Sequence, residues 1–225
     1  MSDRLTHECG LAFVRLRKPL HHYQEEYGDA AWGLRKTYLL MQKQYNRGQD
    51  GAGLGVVKFD MPAGDQFLLR IRSDKHNAIE RIFDAITEDT EQLKEPITSE
   101  TEMHAKRNCR FLGEAYLGHL RYGTHSNNSM ANCHPFIRKN NIASRNIALA
   151  GNFNMTNSRE LFDRLVECGL DPVGDNDTQV ILEKISHFLN DEHDQLIKQH
   201  PNLEGRALAQ TISKELDVGR FLKKA

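Results

Sequence analysis

The sequence predicts an α+β domain of layered, largely antiparallel sheets, and two observations carry that prediction. Short β-prone runs and hairpin signals crowd the first two thirds in the order β, α, β, β, α, β, β, and apolar residues at helical spacing fill the last third. A 225-residue chain with 39% hydrophobic residues can fill a core of its own, and one compact domain is the default.

From Cys9 to Leu16 the run CGLAFVRL is apolar and β-prone, and Lys18-Pro19 ends it, so a core strand is expected to open at the cysteine. Leu34, Tyr38 and Met41 recur at helical spacing between Trp32 and Tyr45, which predicts an amphipathic helix stopping at Arg47-Gly48. The stretch GQDGAGLG then reads as a glycine-rich turn, before strands at Val56 to Phe59 and Phe67 to Ile71 joined as a hairpin across Pro62-Ala63-Gly64. Asn77 to Ile86 reads as a short helix. The polar, charge-rich segment Glu88 to Lys106, with Pro96 inside, reads as a mobile surface loop or inserted helix and not as buried structure. Two further strands, AYLGHLRY at 115–122 and NIALA at 146–150, run into polar loops, where sites tend to sit. Helices are expected around Leu161 to Val166, Val180 to Leu189 and Leu208 to Leu216.

Acidic and basic residues nearly cancel, 31 against 30, so no global field favours nucleic acid or an anionic membrane, and small-molecule chemistry is expected. The polar start and the lack of a long apolar run point to a cytoplasmic protein without a membrane span. Four cysteines without a CxxC pair are a poor disulfide or zinc framework. His119, His125, Cys133 and His134 match no standard zinc spacing, so no metal site is expected. GQDGAGLG lacks GKS or GKT and follows a helix, which argues against a phosphate loop.

Cys9 is the first candidate for chemistry. A buried core cysteine is the plain alternative. Cutting the Glu8–Cys9 bond would give the thiol an α-amino group on its own residue, with an ordinary pKa of about 7.7–8.0, close enough to act as general base. Arg121, beside Thr124 and His125 at a strand end, offers a guanidinium fork for a carboxylate, or else a surface ion pair. Asp177, in DNDTQV, either caps a helix or binds an amino group. Asn152 either bonds its own turn or aims an amide NH2 at a developing oxyanion; one such donor contributes about 2.7–4 kcal/mol to the barrier.

Taken together and in order, these segments resemble the class II glutamine amidotransferases, N-terminal-nucleophile hydrolases with a four-layer αββα sandwich. HECG at 7–10 resembles the processed start, NRGQDGAG at 46–53 the arginine-glycine loop and GHLRYGTH at 118–125 the substrate-arginine strand. GNFNMTN at 151–157 resembles the oxyanion loop and DNDTQV at 175–180 the aspartate turn. Within the class, RGQDGAG, GHLRY and CHPF at 133–136 look most like the phosphoribosylpyrophosphate amidotransferases of purine synthesis, with glucosamine-6-phosphate synthase next.

The resemblance implies that Cys9 is nucleophile and, through its freed amine, base, and that Asn152 and the backbone N–H of Phe153 form the oxyanion hole. Arg121, with Tyr122, Thr124 and His125 nearby, would bind glutamine's carboxylate and Asp177 its amino group, while Arg47 and Gly48 would shape a loop against the cysteine. Residues 1–8 would be a leader and 9–225 the glutaminase domain, lacking its acceptor domain through truncation or docking on a partner. The implied partners are glutamine and an acceptor domain or subunit, and a homo-oligomer is compatible. No cofactor is implied here, and any Mg2+ would belong to the acceptor domain. Phe153 departs from the family's usual Asn-Gly-Asn, and a conformation requiring positive φ would strain it. Two other readings stay open: a non-catalytic glutamine-binding module, and another N-terminal-nucleophile amidase of the penicillin or bile-salt acylase kind.

Overall fold

The structure, a computed structural model, describes residues 8–91, 93, 95–123, 129–174 and 176–225. It is α+β with antiparallel sheets, and it divides into two compact units, one of residues 1–135 with 150–152 and one of residues 136–149 with 153–225.

The first unit is built on a four-stranded antiparallel sheet of β1 (Gly10–Arg15), β2 (Gly51–Val57), β3 (Leu68–Ser73) and β4 (Ala115–Arg121), in the order β1-β4-β2-β3. The predicted hairpin is present, with Ala52 opposite Ser73 and Val57 opposite Leu68. Helices α1 (Leu20–Tyr27), α2 (Trp32–Lys43), α3 (Ala78–Thr90) and α4 (Glu102–Asn108) complete the unit. On one face of the sheet, Ala12, Ala52, Leu54, Val56, Tyr116 and Leu120 pack against Leu34 and Met41 of α2 and Ile79, Ile82 and Ile86 of α3. Each fully buried aliphatic side chain of this kind stabilises by about 1.5–3 kcal/mol.

Three expectations need correction or refinement. The glycine-rich stretch is not a turn, because Gly51 to Gly55 lie inside β2. Its alternate glycines turn to the face opposite the core, where a Cβ on Gly53 would strike the carbonyl oxygen of His134 and one on Gly55 would meet Pro135 at 3.0 Å. The sheet is therefore bare where another backbone crosses it. Second, β1 lies at the sheet edge and serves the core with one face only, burying Gly10 and Ala12 while Leu11 and Phe13 are exposed. Third, the charged segment before residue 106 is not confined to the surface. Ile97 and Ala105 are buried, and the Lys106 ammonium, itself 2% exposed, bonds the Phe59 carbonyl and the Glu114 carboxylate, each at 2.5 Å. Charge-rich composition concealed a buried ion pair.

The second unit holds the two-stranded sheet of β5 (Phe136–Arg138) and β6 (Ile147–Leu149), with Phe136 opposite Leu149. Its helices are α5 (Ser158–Glu167), α6 (Asp177–Gln199), α7 (Gly205–Glu215) and α8 (Val218–Leu222). The long α6 is the hub, packing against β5, β6, α5, α7 and α8. Arg138 of β5 is ion-paired with the buried Glu183 of α6. No helix among the described residues is long and apolar enough to cross a membrane.

Candidate functional site

Within the first unit the chemistry collects at one end of the sheet, where β1 begins and β4 ends. Because the two strands run antiparallel with Gly10 opposite Leu120, the residue before β1 and the residue after β4 are brought side by side. Cys9 is half-buried there, and the backbone N–H of Tyr122 points at its sulfur at 3.5 Å. The thiol in turn reaches the Tyr122 carbonyl at 4.0 Å.

The loop after α2 is tied to the same end. A Cβ on Gly48 would meet the backbone carbon and oxygen of Arg121 at 2.7 Å, so no side chain fits. Gly48 has ordinary extended backbone (φ −155°), and what glycine supplies here is space. Two residues on, the Asp50 N–H donates to the Arg121 carbonyl at 3.0 Å, and its carboxylate accepts from the Gly123 N–H at 2.8 Å. Arg121 itself is buried at 5% exposure. The Arg47 guanidinium, expected to shape this loop, is ion-paired at 2.7 Å with Glu8, the residue before the nucleophile candidate. Both partners are about half exposed, so the pair contributes under about 1 kcal/mol.

Gln44 was not singled out from the sequence. Its amide holds the free edge of β1, accepting from the Leu11 N–H and donating to the Leu11 carbonyl, each at 3.0 Å. Asp50 was missed as well, and lay in plain view inside the arginine-glycine segment.

Asn152 is exposed and follows Gly151, whose backbone is bonded to His119 and His134. Burial pushes the His119 imidazole down to about 4 and the His134 imidazole to about 3, with each other's charge and Arg121 adding to the His134 effect. Among the described residues no cluster of histidine, cysteine and carboxylate groups could hold a metal ion. The His119 and His134 rings stack on each other, and each bonds the Gly151 backbone.

The remaining candidates belong to the second unit. Phe153 is 36% exposed and does not sit in the left-handed region, so the strain expected of a positive φ is absent. Asp177 is the first residue of α6 and not its cap: Asn176 caps, accepting from the Gln179 N–H at 3.0 Å. The Asp177 carboxylate accepts from the Met155 N–H at 2.7 Å, which ties the loop after Phe153 to the helix start. Thr124 and His125 lie outside the described residues. A large cavity of about 930 Å3 opens at the other end of β1, around Arg15, Phe59, Glu102 and Lys106, away from Cys9.

Comparison with known proteins shows the family. Residues 83–221, more than half of the chain, match the family described as class II glutamine amidotransferases. The chain belongs to that family. It is 35% identical over 82 residues to an amidophosphoribosyltransferase of Archaeoglobus fulgidus, covering 36% of this chain and 18% of that one. It is 26% identical over 184 residues to amidophosphoribosyltransferase 3, chloroplastic, of Arabidopsis thaliana, covering 82% of this chain and 26% of that one. Among solved structures, the glutamine phosphoribosylpyrophosphate amidotransferase from B. subtilis, complexed with ADP and GMP, shares the fold. Its TM-score is 0.52 at 20% identity, over 81% of this chain and 31% of that one. The chain thus spans about a quarter or less of its curated relatives. It is an enzyme-family glutamine amidotransferase domain related to the phosphoribosylpyrophosphate amidotransferases.

Proposed function

We propose that the chain is the glutamine-hydrolysing half of an amidophosphoribosyltransferase-like enzyme acting in purine nucleotide synthesis. The observation that carries this reading is the placement of Cys9 Sγ against the Tyr122 N–H, directly after buried Arg121. In the proposed reaction the Glu8–Cys9 bond is cut first, which exposes the α-amine and removes Glu8 as the partner of Arg47. The amine takes the thiol proton, and the thiolate attacks glutamine's side-chain amide carbon. Asn152 and the Phe153 N–H hold the oxyanion, while Arg121 and Asp177 bind the substrate's carboxylate and amino group. Nitrogen leaves as ammonia with the returned proton, and water hydrolyses the thioester to glutamate. Ammonia then passes to an acceptor domain or subunit that uses phosphoribosylpyrophosphate. Residues 1–8 act as leader and 9–225 as the glutaminase domain of a cytoplasmic enzyme, with no metal needed in this half.

The experiment is intact mass and N-terminal sequence of the purified chain, with a glutamate-release assay on the same sample. A chain beginning at Cys9 that turns over glutamine, and a folded Cys9→Ala variant that does not, are expected. Undiminished release by Cys9→Ala would remove Cys9 from the mechanism.

A further inference from the structure

His119 and His134 meet across the glycine face of β2. His119 sits on β4 opposite Gly53, and the space that a Gly53 side chain would fill is taken by the His134 backbone. Their rings stack with centroids 4.1 Å apart and planes 21° apart. The segment carrying His134 is held down by arginines of β3: Arg72 donates to the Cys133 carbonyl at 2.9 Å and Arg70 to the Pro135 carbonyl at 3.1 Å. Gly151 is bonded to both rings, its N–H to His134 Nδ1 and its carbonyl to His119 Nε2, each at 3.3 Å.

Those two bonds fix the protons. A backbone N–H only donates, so His134 Nδ1 must carry a lone pair; a carbonyl only accepts, so His119 Nε2 must carry hydrogen. Among the described residues, Arg121 on the same strand as His119 and Arg72 on β3 are the charged groups acting on the pair, and both oppose a further positive charge. Two neutral rings are thus locked with defined tautomers around a single peptide unit.

We propose that His119 and His134 are a positioning pair, holding Gly151 by its N–H and its carbonyl and so fixing where the next residue, Asn152, presents its amide. The proposal rests on the reading of Asn152 as an oxyanion donor. Neither histidine touches substrate in this scheme. Each acts through the loop, and only in the neutral state.

The test uses the full chain with 15N-labelled histidine. Long-range proton–nitrogen spectra, assigned by the loss of signals in His119→Gln and His134→Asn, are expected to show both rings neutral at neutral pH. His134 should carry hydrogen on Nε2 and a lone pair on Nδ1, His119 hydrogen on Nε2, and neither should titrate in the ordinary histidine range. Hydrogen on His134 Nδ1, or titration of either ring near its unperturbed value, would overturn the proposal whatever the activity.

Kinetics provide the second arm. His134→Leu, which orphans the Gly151 N–H, is expected to lower kcat for glutamate release about tenfold or more with KM nearly unchanged. His134→Asn, whose carbonyl oxygen can stand in for Nδ1, should recover most of that loss, and His134→Gln should not. Equal damage from Asn and Leu would overturn the proposal. A wild-type chain that releases no glutamate defeats the catalytic reading alone, and the spectra then decide the pair by themselves.

Discussion

Gln44 stands beside Leu11 as a further strand would, giving its amide oxygen to the Leu11 N–H and its amide NH2 to the Leu11 carbonyl. A third bond from the same NH2 to the Leu40 carbonyl at 3.2 Å fixes the side chain to its own helix. Since β1 is an edge strand, no other strand among the described residues holds that side of Leu11, two residues from Cys9. Gln44→Ala is expected to cost about 1–2 kcal/mol in urea unfolding, the net worth of a pair of hydrogen bonds. It should also slow glutamate release through kcat, because the cysteine loses its fixed position. Gln44→Glu keeps the acceptor and loses the donor, and an intermediate loss is expected. Wild-type stability in Gln44→Ala would show the clasp to be ornamental.

Gly48→Ala tests the other contact at this end of the sheet. The obstructing atoms are the backbone carbon and oxygen of Arg121, which cannot rotate away as a flexible side chain could. Overpacking of this kind costs about 1–3 kcal/mol. Relief by lifting the loop would break the Asp50 bond to the Arg121 carbonyl. A measurable fall in unfolding midpoint together with a raised KM for glutamine is the expected outcome. A shift in stability with no change in KM would place the loop outside the substrate site.

The buried Lys106–Glu114 pair gives a third measurement. Glu114 also accepts from the Phe59 N–H at 2.8 Å, so its carboxylate serves two partners. Glu114→Ala strands a buried ammonium and is expected to destabilise by about 3–5 kcal/mol. Changing both residues together, Lys106→Met with Glu114→Leu, should cost less than Glu114→Ala alone. A double variant worse than the single one would contradict this account.

What could be read from the sequence follows physical lines. The helices α2, α3 and α6 were legible because burial of one face imposes the spacing that was read, and β4, buried on both faces, was legible as a short β-prone run. The strand at Gly51–Val57 was only partly legible, since glycine carries no β signal and its reason for being there is a backbone crossing from residues far along the chain. Lys106 was read as solvated because its buried partners, Phe59 and Glu114, are set by the fold and not by spacing. Cys9, Arg121 and Asn152 stand out as candidates through motifs, whereas the partnership of His119, His134 and Gly151 depends on strand register and a loop path. Thr124 and His125 fall outside the described residues.

The last prediction concerns acid. His119 and His134 are held at about 4 and about 3, chiefly by burial, while in the unfolded chain both titrate at the ordinary value of about 6.5. Below that unfolded value the unfolded state binds protons that the folded state refuses, so stability rises with pH through this window. It is fully present above about pH 6.5 and is lost as pH falls toward the folded values. Each ring that stays neutral contributes a slope of up to about 1.4 kcal/mol per pH unit. Burial lowers His193 in the second unit as well, and adds to the same trend. Urea midpoints should therefore decline from about pH 7 to about pH 5, and His134→Asn should flatten that decline by roughly one ring's share. Carboxylate protonation begins only near the lower end of this window, so it does not account for the early part of the loss. An unfolding midpoint that stays level across the window would mean that the two rings accept protons in the folded chain, and the neutral stack described above would then be untenable.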